Sequence, residues 1–320
     1  MMRLKLVPRN TSWNFFLRSK LWIGISIILV VLSLISFFVQ SLNFGIDFRG
    51  GTSIRTESSE PVNVAAYRNA LSSLDLGDIT ISEVFDPSFE DNQNVAMIRI
   101  QAQPGQEAAT SILVENSLQK LRGVKEDIKF VSVESVGPKV SGELIRTAII
   151  AVVLAISAVL FYIWIRFEWQ FAVGAISALI HDVILTIGVF SLLQIKFDLA
   201  IIAAILTIVG YSLNDTVVVF DRVRENLRKF KKRSLIEVMN LSINETMSRT
   251  VMTSVTTLLA LISLFVLGGD VIRGFVFAMI WGVVVGTYSS IFIASAILLW
   301  TGVKRDWSRS NAEAGTQVPQ

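Results

Sequence analysis

Six long apolar runs constrain this chain more than any other feature of its sequence: Leu21 to Val39, Ala148 to Ile165, Phe171 to Leu193, Leu199 to Phe220, Val251 to Gly268 and Gly274 to Trp300. A helix rises about 1.5 Å per residue, so each run is long enough to cross roughly 30 Å of hydrocarbon. With 52% hydrophobic and 17% charged residues, the 320-residue chain carries more apolar material than a soluble domain can bury, and the excess must face lipid. The first run follows a basic stretch, as a secretory signal does, but it is too long and no small-residue cleavage site follows it. Cysteine is absent, which excludes disulfides, thiolate nucleophiles and Cys-based metal sites. The net charge of +3 sums segments expected on opposite membrane faces, so it gives no reason to invoke nucleic acid.

Lys and Arg set the expected orientation, because short loops rich in positive charge stay in the cytoplasm. The N-terminal tail has five (Arg3, Lys5, Arg9, Arg18, Lys20), the segment between the fourth and fifth spans has eight from Arg222 to Arg249, and the C-terminal tail has three. The two short loops on the other side carry one each, Lys196 and Arg273. Both termini are thus expected in the cytoplasm, as tails 1–20 and 301–320, flanking a first span at 21–39 and a five-helix region at 144–300 with a cytoplasmic loop at 221–250. That basic loop is read as a topology determinant lying against anionic lipid, with a partner contact as the alternative.

Segment 40–143 is then exported, and long domains cross regardless of charge. Within it the periodicity predicts a strand at Gly51 to Thr56, a helix at Val62 to Leu74 with Pro61 in its first turn, an antiparallel pair at Ile79 to Phe85 and Val95 to Ala102, a helix at Glu107 to Leu121 and a strand at Ile128 to Val133. The order strand, helix, strand, strand, helix, strand matches an α+β ferredoxin-like unit. No paired carboxylates, metal-ligand spacing or nucleophile constellation stands out there, which favours a binding or structural module.

The ionisable residues inside the spans carry the most information, because a charge near the bilayer centre costs at least about 2.5 to 3.5 kcal/mol. His181 and Asp182 fall in the middle of the third span, Asn214 and Asp215 in the cytoplasmic third of the fourth, and Arg249 opens the fifth. Spacing by four aligns Glu245, Arg249, Thr253 and Thr257 into a polar stripe that should face protein or water. Desolvation favours a protonated carboxylate and a nearby cation favours an ionised one, so an Arg249 that moves relative to Asp215 could load and release a proton. A static salt bridge or polar clamp is the alternative. For His181 the alternatives are a neutral imidazole bonded to a neighbouring helix and a proton relay. Gly282, Gly286 and Ser290 recur every four positions in the last span and permit close helix packing.

Four motifs then resemble the SecF branch of the SecD/SecF family of protein-export membrane proteins, within the resistance-nodulation-division superfamily. NFGIDFRGG at 43–51 is similar to the signature opening the family's exported domain, through Gly45, Asp47, Arg49, Gly50 and Gly51. ALIHDV at 178–183, GYSLNDTVVVFDR at 210–222 and NETMSRTVMT at 244–253 follow in the expected order. The resemblance implies a six-helix bundle forming one half of a transporter core, with the α+β domain inserted between the first two spans. It also implies a bacterial inner-membrane subunit that pairs with SecD and, with the SecYEG channel, the SecA ATPase and YajC as partners, assists preprotein translocation. Its energy source would be the proton-motive force, with no cofactor and no hydrolytic site. On that reading Asp215, Arg249 and Thr253 are the proton-coupling residues, supported by Asn214, His181, Asp182 and Thr257.

Three rival readings fit less well. An intramembrane aspartyl protease would pair Asp182 with Asp215, but neither carboxylate sits in the sequence setting such enzymes use. A small-molecule or lipid exporter of the same superfamily would carry two six-span halves, and this chain has one. A passive scaffold for SecD remains open to a mutant test.

Overall fold

The computed structural model describes residues 11–59, 61–74, 76, 79–84, 89, 93–101, 107–120, 128–268 and 270–303. The termini before 11 and after 303, most of the 86–94 connection and the end of the second predicted exported helix lie outside the described residues. In chain order the elements are α1 (Ser19–Gln40), β1 (Asn43–Phe44), α2 (Ile46–Arg49), β2 (Gly51–Ser58), α3 (Val64–Leu71), β3 (Ile79–Val84), β4 (Asn94–Ile100), α4 (Glu107–Lys120) and β5 (Lys129–Val136). There follow α5 (Pro138–Arg166), α6 (Trp169–Leu193), β6 (Lys196–Phe197), α7 (Leu199–Lys229), α8 (Leu235–Leu267), α9 (Asp270–Ser289) and α10 (Ser295–Thr301), the last two joined through a π-helical turn at Ser290–Ala294. Among the described residues six helices are long and apolar enough to cross a membrane: α1, α5, α6, α7, α8 and the α9–α10 pair.

Several helices outrun the apolar runs that announced them. Pro138 starts α5 ten positions before Ala148, placing a residue without an N–H where none is needed. At the other membrane face, α7 continues to Lys229 and α8 begins at Leu235, so the expected loop at 221–250 is helical except for 230–234. Ser234 and Glu237 close a reciprocal capping box there, which fixes the start of α8.

The interior of the bundle is α6, α7 and α9–α10, whereas α1 and α5 along most of their length, and α8 from Leu259 onward, expose most of their large apolar side chains, as a lipid-facing helix must. Small residues let these helices close up. A Cβ on Gly282 would collide with Ile208 of α7, one on Gly286 would press on Ser212, and one on Gly188 would strike Ser33 of α1. Phe167, Phe171 and Phe220 cluster where α5 turns into α6, with ring centroids 5.2 to 6.3 Å apart.

Between α1 and α5 stands a four-stranded sheet of order β3-β4-β2-β5, every neighbouring pair antiparallel. Ile54 and Ile98 from its central strands pack with Tyr67 and Leu71 of α3 and Val114 and Leu118 of α4. Asn63 caps α3 through Ala66, so Pro61 precedes this helix instead of entering its first turn.

The run 43–51 is a latch. β1 pairs in parallel with β6, Gly45 N–H donates to Phe197 O at 2.8 Å, and Asn43 Nδ2 donates to Gln194 O at 2.9 Å. Asp47 Oδ2 accepts from Leu199 N at 3.1 Å, joining Asp198 in capping the first turn of α7. Gly50 and Gly51 take φ of 71° and 127°, which ordinary side chains resist, and turn the chain into β2. Arg49 is exposed.

Gly282→Leu is expected to destabilise the folded chain by about 1–3 kcal/mol, as overpacking against Ile208 forces α9 from α7. Thermal unfolding in detergent checks this. Gly24→Leu is the control, since a Cβ there meets nothing within 4 Å, and its melting point should match wild type.

Candidate functional site

Asp182 and Asp215 are equally withdrawn from the surface, at 1% and 3% exposure, yet their surroundings differ. Asp182 accepts from Ser212 Oγ of α7 at 2.7 Å and Ser289 Oγ of α9 at 2.8 Å on Oδ2, and from His181 Nδ1 at 2.9 Å on Oδ1. Three donors from three helices, α6 itself among them, hold the carboxylate in place. His181 therefore bonds within its own helix and not to a neighbouring one, while its Nε2 is buried with no hydrogen-bond partner. Its ring lies 6.1 Å from that of Tyr288, whose hydroxyl shares a 2.8 Å bond with Ser26 of α1 and donates to Trp22 O at 2.9 Å.

Asp215 lies one helical turn beyond Ser212, about 4.5 Å further toward the Lys229 end of α7. Its Oδ2 is buried without a hydrogen-bond partner. Because α7 and α8 are antiparallel arms of one hairpin, residues equally far from the 230–234 turn share a level. Asp215 stands 15 positions before Phe230 and Arg249 stands 15 after Ser234. The charge of Arg249 accordingly acts on Asp215, but the two form no ion pair among those of the described residues. The hydroxyls of Tyr211, one turn back on α7, and Thr250, beside Arg249, are also buried without partners.

Arg249 is exposed and lines a cavity of about 380 Å³ that opens between α7 and α8 on the side of the 230–234 turn. Glu245 and Arg222 share it, joined by a 2.7 Å bond from Arg222 Nε to Glu245 Oε2. The same oxygen accepts from Asn226 Nδ2 at 2.7 Å, and Arg222 Nη1 reaches Glu225 Oε2 at 2.6 Å. Thr253 and Thr257 are half-buried on the same stripe, with Thr253 Oγ1 bonded to Thr250 O at 2.9 Å. Asn214 is brought to neither carboxylate; it is exposed on the outer face of α7.

Sequence reading missed Ser212 and Ser289, because isolated serines in a span are common and only their convergence on Asp182 marks them. It also missed Asn226 and Arg222, hidden in a run of charge whose bulk served as a topology signal. Asn244, inside a quoted motif, straps the N-terminal segment onto α8, bonding both the N–H and the carbonyl of Trp13 at 2.9 and 2.8 Å. Because Asp182 is saturated and bonded to donors other than Asp215, the two carboxylates do not form a proton-sharing protease dyad.

Comparison with known proteins matches residues 116–304 to the family described as "Protein export membrane protein SecD/SecF, C-terminal" and residues 35–62 to the "SecD/SecF GG Motif". The protein translocase subunit SecF of Cereibacter sphaeroides is 58% identical over 315 residues, covering 98% of this chain and 97% of that one. That of Vibrio alginolyticus is 42% identical over 303 residues, covering 94% of each. The crystal structure of SecDF, a translocon-associated membrane protein from Thermus thermophilus, superposes with a TM-score of 0.80 at 34% identity; it takes in 94% of this chain but 40% of the SecDF chain. A SecDF structure in a super-membrane-facing form gives a TM-score of 0.67 at the same 34% identity. With this identity along nearly the whole chain and a family match over most of the bundle, this multi-pass membrane protein belongs to the SecF branch of the SecD/SecF family of protein-translocation subunits.

Proposed function

We propose that this chain is the half-transporter that pairs with SecD in the bacterial inner membrane and uses the proton-motive force to assist preprotein translocation through SecYEG, completing export begun by SecA, with YajC as an accessory partner. Both termini are cytoplasmic and the 40–143 domain, assigned as ferredoxin-like from its strand order, is periplasmic. The observation that carries the reading is Asp215: a buried carboxylate with an unpartnered oxygen, at the level of an arginine that lines a cavity open to the cytoplasm. A permanently ionised carboxylate in that position would need donors such as Asp182 has. Asp215 lacks them on Oδ2, so a proton is the economical way to satisfy it in one state and Arg249 in the other. Thr253 and Thr257 continue the stripe, and Asp182 and His181 brace α7 through Ser212.

The need for a partner half is supported by the exposed face of α7. Ala203, Thr207, Gly210 and Asn214 recur along one side, small and polar where lipid would be a poor neighbour. The chain also spans 40% of the SecDF chain it superposes on, and SecD is the occupant proposed for that face.

In cells depleted of their own SecF and supplied with this chain, Asp215→Asn is expected to leave release of processed precursor at the depleted level while the variant stays abundant and SecD-bound. Full restoration by Asp215→Asn would reduce the chain to a scaffold without a proton site here. Gly210→Phe is expected to abolish co-purification with SecD without lowering the chain's own melting point, because a Cβ at Gly210 meets nothing within 4 Å in this chain.

A further inference from the structure

Arg249 stands between two carboxylates. Asp215 shares its level on α7, and Glu245 lies four residues before it on α8, about 6 Å along the same face. A Glu and an Arg so spaced on a helix ordinarily pair. Here they do not: Glu245 is detained by Arg222 and Asn226, both on its Oε2 at 2.7 Å, while Arg249 takes part in none of the ion pairs of the described residues. All the same, Glu245, Arg222 and Arg249 face one cavity, so a change of partner requires only side-chain rotation.

We propose that Glu245 is the alternate partner of Arg249, a positioning residue that receives the guanidinium when Asp215 takes up a proton and returns it when that proton leaves toward the cytoplasmic cavity. This deepens the proton-coupling reading and rests on it. Arg249 is exposed in the cavity and paired with neither carboxylate here, so its guanidinium can pass between Asp215 and Glu245 while solvated. The remaining charges facing Glu245 are already committed or cationic. Arg222 binds Glu225 at 2.6 Å, Asp221 is engaged by Arg166 of α5 at 3.2 Å and by Arg224 at 3.7 Å, and Lys229 acts on Glu245 as a further positive charge. Arg222 therefore competes with Arg249 for Glu245 and sets how readily Arg249 departs from Asp215.

The competition gives opposite signs for two substitutions that break the same bond. Glu245→Gln removes the alternate partner, so Arg249 stays on Asp215 and more external acid is needed to load the proton. Arg222→Gln frees Glu245 for Arg249, so the proton loads at higher pH. The test is the rate of precursor release against external pH, in SecF-depleted cells carrying this chain together with SecD, with abundance and SecD binding measured in parallel. The midpoint is expected to fall by about one pH unit for Glu245→Gln and to rise by a similar amount for Arg222→Gln, with Glu245→Asp close to wild type. Shifts of the same sign, or none, mean that the Arg222–Glu245 bond merely holds α7 to α8, and overturn the proposal. Should Glu245→Gln not accumulate, Arg222→Gln decides alone, and an unmoved or lowered midpoint overturns the proposal. Asp215→Asn separates the two levels: if it restores export, proton coupling itself fails, whereas if it is inactive while the paired shifts are missing, only the role of Glu245 fails.

Discussion

A buried carboxylate inside a membrane is costly to leave unpartnered, and here the bundle is assembled around satisfying one. Asp182 receives hydrogen bonds from Ser212 of α7, Ser289 of α9 and its neighbour His181. The two serine bonds tie α6 to two other buried helices. Small residues make that convergence possible: Gly286 lies against Ser212, so α9 comes close enough to α7 for both serines to reach one oxygen. The π-helical turn that follows Ser289 belongs to the same arrangement, because one extra residue in a turn re-aims the side chains beside it.

That fixed point gives meaning to the looser polar groups one turn away. Asp215 Oδ2, Tyr211 OH and Thr250 Oγ1 are buried without partners, all on the two helices that also present an unpaired face or line the cavity beside Arg249. Buried polar atoms are ordinarily satisfied, so a concentration of unsatisfied ones marks where water, a proton or another chain completes the structure. The two carboxylates thus differ in kind: the first fixes α7 by Ser212, and the second keeps an oxygen unpartnered.

Much of this was legible in the sequence, for physical reasons that differ by element. The spans were readable because lipid demands long apolar runs, and the strands between α1 and α5 because alternation and turn polarity survive even in short segments. The connection of α7 to α8 was not, since both leave the membrane as charged helices and a hydropathy pattern ends where the lipid ends. Asp215 and Arg249 could be placed at a similar depth from their positions near the ends of the fourth and fifth apolar runs. Their lack of a direct bond could not, because it depends on which side of its helix the Arg249 side chain takes and on what detains Glu245. The partners of Asp182 were equally hidden: Ser212 and Ser289 lie 77 positions apart, and nothing but the crossing of α7 with α9 brings them together.

The run 43–51 joins the two ends of the molecule. Asp47 and Asp198 cap the first turn of α7, and β1 joins β6 just before it, so the sheet domain is fastened to the Leu199 end of the helix that carries Asp215. From Leu199 to Asp215 an unbroken helix rises about 24 Å, and the same rod continues to Arg222 and Asn226. Such a rod transmits displacement with little loss, since bending it means breaking backbone hydrogen bonds. Any shift of α7 therefore reaches Asp47 and, through the turn at Gly50 and Gly51, strand β2 at the centre of the four-stranded sheet. Sequence alone presents 43–51 as a glycine-rich signature; the structure gives it a mechanical reason, because a fastening that must both hold a helix end and turn sharply into a strand needs a carboxylate, a parallel bridge and two residues able to adopt positive φ.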